Sequence, residues 1–298
     1  MKKILITGVN GFLGSILTSS LKNDYKVYGI GRPGAVNIKK NCHKIIIKNL
    51  SIKNLKKNFR NIDYIIHCAG TGTVEKSKKL SKFFELKSTK IVLDYINLYN
   101  PKAKLIYISS VAVYGDSYKN KINEKQKTNP ISNYAKIKFL SENLCRNYSE
   151  KFNIPIVVLR ISSLYGKGLK KQIIFDATKK IKSGNQIFYG TGKEVRDFLH
   201  VDDLMMLINK IIKRNLFFFD IYNCGSQQIY SIKSIISKLE KIIKKKINPI
   251  FNKSFVSSNP KSLKISTRKV TKKYNWHPKV KIDDGLLDYY NWFQKEYD

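Results

Sequence analysis

Acidic residues, arginine, cysteine and long apolar runs are all scarce in this 298-residue chain. No apolar stretch approaches the roughly 18 residues needed to span a bilayer. The segment Ile4-Leu5-Ile6 is too brief for a secretory signal and runs straight into Thr7-Gly8. A cytoplasmic protein without membrane association is expected. Cys42, Cys68, Cys145 and Cys224 stand far apart and form no Cys-x-x-Cys pair, so neither a disulfide framework nor a metal site is expected. The shortage of acid, 21 Asp and Glu against 57 Lys and Arg, leaves a net charge of +36. Only seven of the basic residues are arginine (32, 60, 146, 160, 196, 214, 268). The other 50 are lysines spread along the whole chain among many Ile and Asn residues. Base-reading surfaces cluster arginine and interleave aromatics. The even spread instead points to compositional drift toward AT-rich codons, and no nucleic-acid partner is expected. The charge should still draw anionic ligands.

What is present is an ordinary hydrophobic fraction of 42% in a chain long enough for a large core. Short apolar runs read as strands at Lys3–Thr7, Lys26–Ile30, Lys44–Lys48, Tyr64–Cys68, Leu105–Ser109 and Ile156–Ile161. Several are continuously apolar, as strands covered on both faces must be. Helical patterns fall near 13–23, 51–59, 80–99 and 133–152. This alternation predicts βαβ units and an α/β fold with a doubly wound parallel sheet. After about residue 165 the pattern loosens, with helices near 171–183, 202–213 and 231–245. The expected division is 1–165 for the sheet domain and 166–298 for a smaller C-terminal substrate-binding lobe. A segment near 196–213 is expected to return to the first domain.

Gly8-x-x-Gly11-x-x-Gly14 follows the first strand and opens a helix. In that setting the first glycine permits a tight turn, the second admits a pyrophosphate, and the third lets helix pack on strand. The helix N-terminus then offers free N–H groups to phosphate. The second strand ends in Gly31-Arg32-Pro33, without the carboxylate that would take a ribose 2′-hydroxyl. Arg32 suits a 2′-phosphate, so NADP is at least as plausible as NAD; a plain surface arginine is the alternative.

Tyr134 and Lys138 lie four apart on a predicted helix and share a face. A cation beside a phenol whose ordinary pKa is near 10 favours the phenolate and makes it a usable base. Ser109-Ser110 ends a strand, at the sheet edge where such folds bind ligands. There Ser110 can hold a substrate oxygen during proton transfer.

With these residues in view, the chain resembles the extended short-chain dehydrogenase/reductase family in its nucleotide-sugar epimerase/dehydratase branch. The resemblance is carried by Thr7–Gly14, His67-Cys68-Ala69-Gly70, Ser109–Gly115, Asn129–Lys136, Leu159–Gly166, Gly190–Asp203, Tyr222–Gly225 and Asn275–Pro278. It implies a Rossmann-type sheet. It also implies catalytic roles for Tyr134 as acid/base, Lys138 as its partner and ribose anchor, and Ser110 as oxygen binder. Cofactor contacts are implied for Gly8, Asn10, Gly11, Phe12, Leu13, Gly14, Arg32, Asn49, Leu50, Cys68, Ala69, Gly70, Tyr134, Lys138 and Ile161. Substrate contacts are implied for Ser110, Ser163 and Arg196. A guanidinium fork suits a diphosphate, which supports Arg196 independently; the alternative is an ion pair with Asp197 or Asp203. His200 reads as structural. A homodimer through the helices near 80–99 and 133–152 is implied, as is a supply of surface-polysaccharide precursors.

The departures from the family pattern narrow the chemistry. Dehydratases of this branch carry Asp-Glu where Val111-Ala112 stands, so dehydration is not expected. Ser163, Asn259 and Leu86 occupy places where Asn, Arg and Asn are usual. The leading expectation is a 4-epimerase of a nucleoside-diphosphate hexose that moves hydride to and from NAD or NADP. An NADPH-dependent reductase of a 4-keto-6-deoxyhexose is second. A non-catalytic dinucleotide sensor is third, and an intact Ser110, Tyr134 and Lys138 argues against it.

Overall fold

Every strand and helix anticipated from the sequence forms, with ends within two residues of the expected ones. The structure, a computed structural model, describes residues 1–33, 43–70, 79–116, 121–215, 218–252 and 262–298, and of 79–83 the backbone alone. The N-terminal half runs β1 (Lys3–Thr7), α1 (Phe12–Leu21), β2 (Lys26–Gly31), β3 (Lys44–Ile47), α2 (Ile52–Asn58), β4 (Tyr64–His67) and α3 (Lys79–Tyr99). It continues with β5 (Lys104–Ser110), a 3-10 turn (Val111–Tyr114), α4 (Asn133–Phe152), β6 (Ile156–Ile161) and β7 (Ser163–Tyr165). Then come α5 (Gln172–Ser183), β8 (Ile187–Tyr189), β9 (Val195–His200), α6 (Val201–Arg214) and β10 (Asp220–Cys224). The chain closes with β11 (Ile229–Ser231), α7 (Ile232–Ile243), β12 (Ile250–Asn252), α8 (Arg268–Tyr274) and α9 (Ile282–Tyr297). The short strands β7 to β12 and the last two helices carry too weak a period to stand out in the sequence.

A seven-stranded sheet in the order β10-β6-β5-β4-β1-β2-β3, parallel throughout, forms the Rossmann-type centre. Alternate residues of its strands feed two cores. Ile4, Ile6, Tyr64, Ile66, Val157 and Leu159 pack with residues of α1, α6 and α8. Leu5, Ile65, Leu105, Ile156 and Val158 pack on the other face with α2, α3 and α4. Burial on both faces is why these strands read as unbroken apolar runs. Besides α6, which packs against α1 from the 196–213 segment, β10 also lies in this sheet. A third core joins Tyr165, Phe188 and Phe198 to α5, α7 and α9. Among the described residues, no helix is long and apolar enough to cross a membrane.

The fold positions the site through the order of the sheet. The order of the strands reverses between β1 and β4, the switch point at whose carboxyl ends folds of this kind hold their ligands.

Candidate active site

The glycine loop leaves β1 at this crevice. Gly8 has φ +73°, a conformation that side chains resist, and a Cβ there would lie 2.8 Å from the Ala69 nitrogen. At Gly14 a Cβ would come within 2.2 Å of the Gly8 carbonyl oxygen, so only glycine lets α1 pack this tightly on the loop. Gly11, the residue before α1, offers no side-chain cap, so the first-turn N–H groups have none from the protein. Asn10 donates its Nδ2 to the Arg32 carbonyl at 2.7 Å, while its buried Oδ1 has no hydrogen-bond partner. A cradle that no Cβ could enter, an uncapped helix start and an open buried acceptor all fit a dinucleotide pyrophosphate. Phe12 packs toward the C-terminal core and Leu13 toward the α1 core.

The remaining sequence-predicted positions line the same edge. Arg32 follows β2, its guanidinium 5.3 Å over the Phe84 ring. Asn49 and Leu50 follow β3; Asn49 gives its carbonyl to Asn54 and Leu50 packs on the second core. Cys68, Ala69 and Gly70 follow β4, and burial pushes the Cys68 thiol up to about 12, so it is no nucleophile. Ile161 ends β6 in register with Ser110 of β5.

Ser110 ends β5, and its hydroxyl accepts from the Ala112 nitrogen at 3.2 Å, capping the 3-10 turn. The Val111-Ala112 pair sits in that turn. Ser132 caps α4 by accepting from the Ala135 nitrogen at 3.1 Å, which sets Tyr134 in the first turn of the helix. One turn on, Lys138 points inward. Its Nζ donates to the Ile108 carbonyl at 2.9 Å, and lies 5.3 Å from the Tyr107 ring centre and 5.8 Å from that of Tyr134. Ser110, Tyr134 and Lys138 therefore converge as the sequence predicts.

Burial pushes the Tyr134 phenol above its ordinary value; Lys138 lowers it, Glu85 raises it and the Ser110 hydrogen bond lowers it. Burial is the largest influence on the phenol, and Lys138, the next largest, lowers it as expected without offsetting that rise. Lys138 Nζ sits 2.6 Å from the carboxylate of Glu85, a fully buried residue of α3. Burial opposes the lysine's charge, but Glu85, Tyr107 and Tyr134 outweigh it and hold Lys138 protonated. On α3 it is Glu85, and not the anticipated Leu86, that faces the lysine. The Asn259 departure lies outside the described residues.

Arg196 is the second residue of β9 and donates to its neighbour's carbonyl, Val195 O, at 2.8 Å. The carboxylates that face it are Glu194 and Asp116, the latter just past the 3-10 turn. Neither alternative ion-pair partner is in that role. Asp197 accepts from Ser162, Ser226 and Gln227, and Asp203 from the Lys279 and Val280 nitrogens. Ser163 opens β7, paired with Phe198. His200 is buried against Tyr165, and its Nδ1 accepts from the Asp202 nitrogen at the start of α6. Among the described residues no cluster could hold a metal.

A model of the NAD dependent epimerase/dehydratase family matches residues 4–225. The uncharacterized UDP-glucose epimerase YtcB of Bacillus subtilis is 25% identical, over 96% of this chain and 96% of its own length. A dTDP-D-glucose 4,6-dehydratase of Bos taurus is 24% identical, over 99% of this chain and 90% of its own. The crystal structure of UDP-glucuronic acid 4-epimerase from Bacillus cereus, in complex with UDP-glucuronic acid and NAD, superposes with a TM-score of 0.90. It is 29% identical and covers 99% of this chain and 100% of that one.

Proposed function

The chain belongs to the NAD-dependent epimerase/dehydratase family, and on that premise we propose that it is a 4-epimerase of a nucleoside-diphosphate hexose. The observation that carries this reading is the convergence of Ser110, Tyr134 and Lys138 beside the glycine loop. A nicotinamide dinucleotide held by that loop supplies the hydride acceptor and donor. Tyr134 takes the proton of the C4 hydroxyl and returns it after the keto sugar has turned over. Ser110 holds the C4 oxygen in line with the phenol. Lys138 anchors the ribose and steadies the tyrosine. Arg196, a guanidinium whose fork matches phosphate geometry, is the candidate for the sugar's diphosphate. Elimination of water is not part of this reading, because Val111 and Ala112 offer no acid or base.

A second reading, a 4-keto sugar reductase using NADPH, is favoured by Arg32 in place of a carboxylate after β2. The test is to incubate the protein with UDP- and dTDP-hexoses and follow the configuration at C4 by NMR. Interconversion without cofactor consumption supports the epimerase. Stoichiometric NADPH loss with a 4-keto-6-deoxy sugar overturns it in favour of the reductase. We also propose a homodimer through α3 and α4, where Leu98, Leu140 and Phe152 are exposed. A monomer in light scattering would refute that.

A further inference from the structure

We propose that Asn10 reads the adenosine ribose of the dinucleotide: its side-chain oxygen takes the 2′-hydroxyl in place of the carboxylate that β2 lacks. This role rests on the glycine loop as a dinucleotide site and deepens that reading.

The chain carries no acidic residue between Asp24 and Asp63, so neither the end of β2 nor the segment after it can supply the carboxylate that sheets of this kind present to the ribose. Asn10 fills the space instead. A Cβ on Gly31, the last residue of β2, would lie 2.5 Å from Oδ1, 2.7 Å from Cγ and 2.8 Å from Nδ2 of Asn10. The amide thus occupies the room that a side chain at 31 would need, and an acid there would exclude this asparagine. Two residues back, a Cβ on Gly29 would lie 2.6 Å from Val9 Cγ1. β2 therefore gives way to Val9 and Asn10 in turn. The Gly8 nitrogen closes the seam by donating to the Ile30 carbonyl at 2.9 Å.

The orientation of the amide is fixed. Nδ2 donates to the Arg32 carbonyl at 2.7 Å, and a carbonyl only accepts, so the nitrogen faces Arg32 and Oδ1 faces away from it. Oδ1 is buried and has no hydrogen-bond partner. A buried acceptor left unmet is costly, and this one calls for a donor from outside the chain. The ribose hydroxyls are the donors that a dinucleotide brings to the end of β2. A 2′-phosphate, ionised near neutrality, brings acceptors there and leaves Oδ1 unmet. At this atom the site selects NAD. Arg32 enters through its main-chain carbonyl, which orients the amide wherever its guanidinium lies.

The experiment compares NADH with the analogue lacking the adenosine 2′-hydroxyl, each titrated against the full chain by nicotinamide fluorescence. It needs no sugar. Wild type should bind NADH about five- to tenfold more tightly than the deoxy analogue. Asn10→Ala should lose most of that preference, by weakening NADH while the analogue stays near its wild-type affinity. Asn10→Asp keeps an acceptor but not the donation to Arg32, and should retain the preference. A residue that merely props the turn would weaken both ligands alike in Asn10→Ala, and that result overturns the proposal. So does a wild type that binds the two equally, a result that stands whether or not a variant folds. Binding of neither removes the dinucleotide site and the proposal with it. The expected preference in a protein that epimerises no sugar supports the role of Asn10 and overturns the epimerase reading.

Discussion

Helix α4 carries two buried ion pairs one turn apart, and they make opposite use of the same chemistry. Lys138 reaches across to Glu85 of α3; Glu142 reaches to Arg160 of β6. Both pairs have charged atoms 2.6 Å apart and little solvent exposure. The difference lies in their neighbours. Arg160 grips Glu142 through two nitrogens, Ser109 donates to the same carboxylate, and the guanidinium stacks 4.7 Å from the Tyr114 ring. Tyr114 is itself tied to Asn223 of β10 at 2.8 Å. That pair joins β5, β6, β10 and α4 and faces no reacting group. The Lys138 pair is held by one short contact and a carbonyl, and it faces Tyr134. Burial of an ion pair therefore does not by itself mark a functional site.

The comparison breaks most sharply where the tyrosine is removed. Tyr134→Phe should lower turnover by about 10³- to 10⁴-fold while dinucleotide binding and thermal stability stay near wild type. Retained turnover would sink the mechanism. On the other pair the loss should fall on stability. Arg160→Leu strands a buried Glu142 and should cost about 3–5 kcal/mol in urea unfolding, with the Tyr134 titration unmoved. Replacing Glu142 and Arg160 together by leucine should cost far less than Arg160→Leu alone, because no lone charge remains. A double variant as unstable as the single one would mean that packing, not charge, is what the pair supplies.

A smaller effect comes from His67, which touches the catalytic half alone. Burial depresses its folded pKa from 6.5 to about 3. The unfolded chain takes up that proton first, so the His67 contribution is complete above pH 6.5 and is lost as pH falls toward 3. At pH 5 the loss amounts to about 2 kcal/mol. His67→Gln should flatten the fall in stability between pH 6.5 and 5. An unchanged slope would place the acid sensitivity elsewhere.

These two regions were not equally legible in the sequence. Strands β1 to β6 are visible because each carries an apolar run, longest in the central strands that are covered on both faces. The seventh strand, Asp220–Cys224, mixes polar and apolar residues and pairs with a partner some sixty positions upstream, so nothing local announces it. Tyr134, Lys138 and Ser110 were legible from spacing. Glu85 was not, because one carboxylate in a helical stretch reads as surface. A signal was there: residues 85, 88, 89, 92, 93 and 96 form one buried stripe along α3, with an acid at its head. An acid on an apolar stripe calls for a buried cation, and Lys138 is that cation. The Tyr-x-x-x-Lys spacing gave the direction of the lysine's effect on the phenol, but spacing shows neither the burial that opposes it nor the Glu85 counter-charge.

The gentlest test contrasts two guanidiniums. Arg160 is buried and paired with Glu142; Arg32 is exposed and rests on the Phe84 ring at the end of β2. A charge in contact with solvent is screened, so its contribution to binding is modest. If Arg32 meets a 2′-phosphate, Arg32→Ala should weaken NADPH about tenfold or less and leave NADH unchanged, measured by fluorescence titration of each. Equal weakening of both would reduce Arg32 to a prop for α3. No effect on either would leave it a surface residue and favour NAD, because the 2′-phosphate is the one group by which the two cofactors differ.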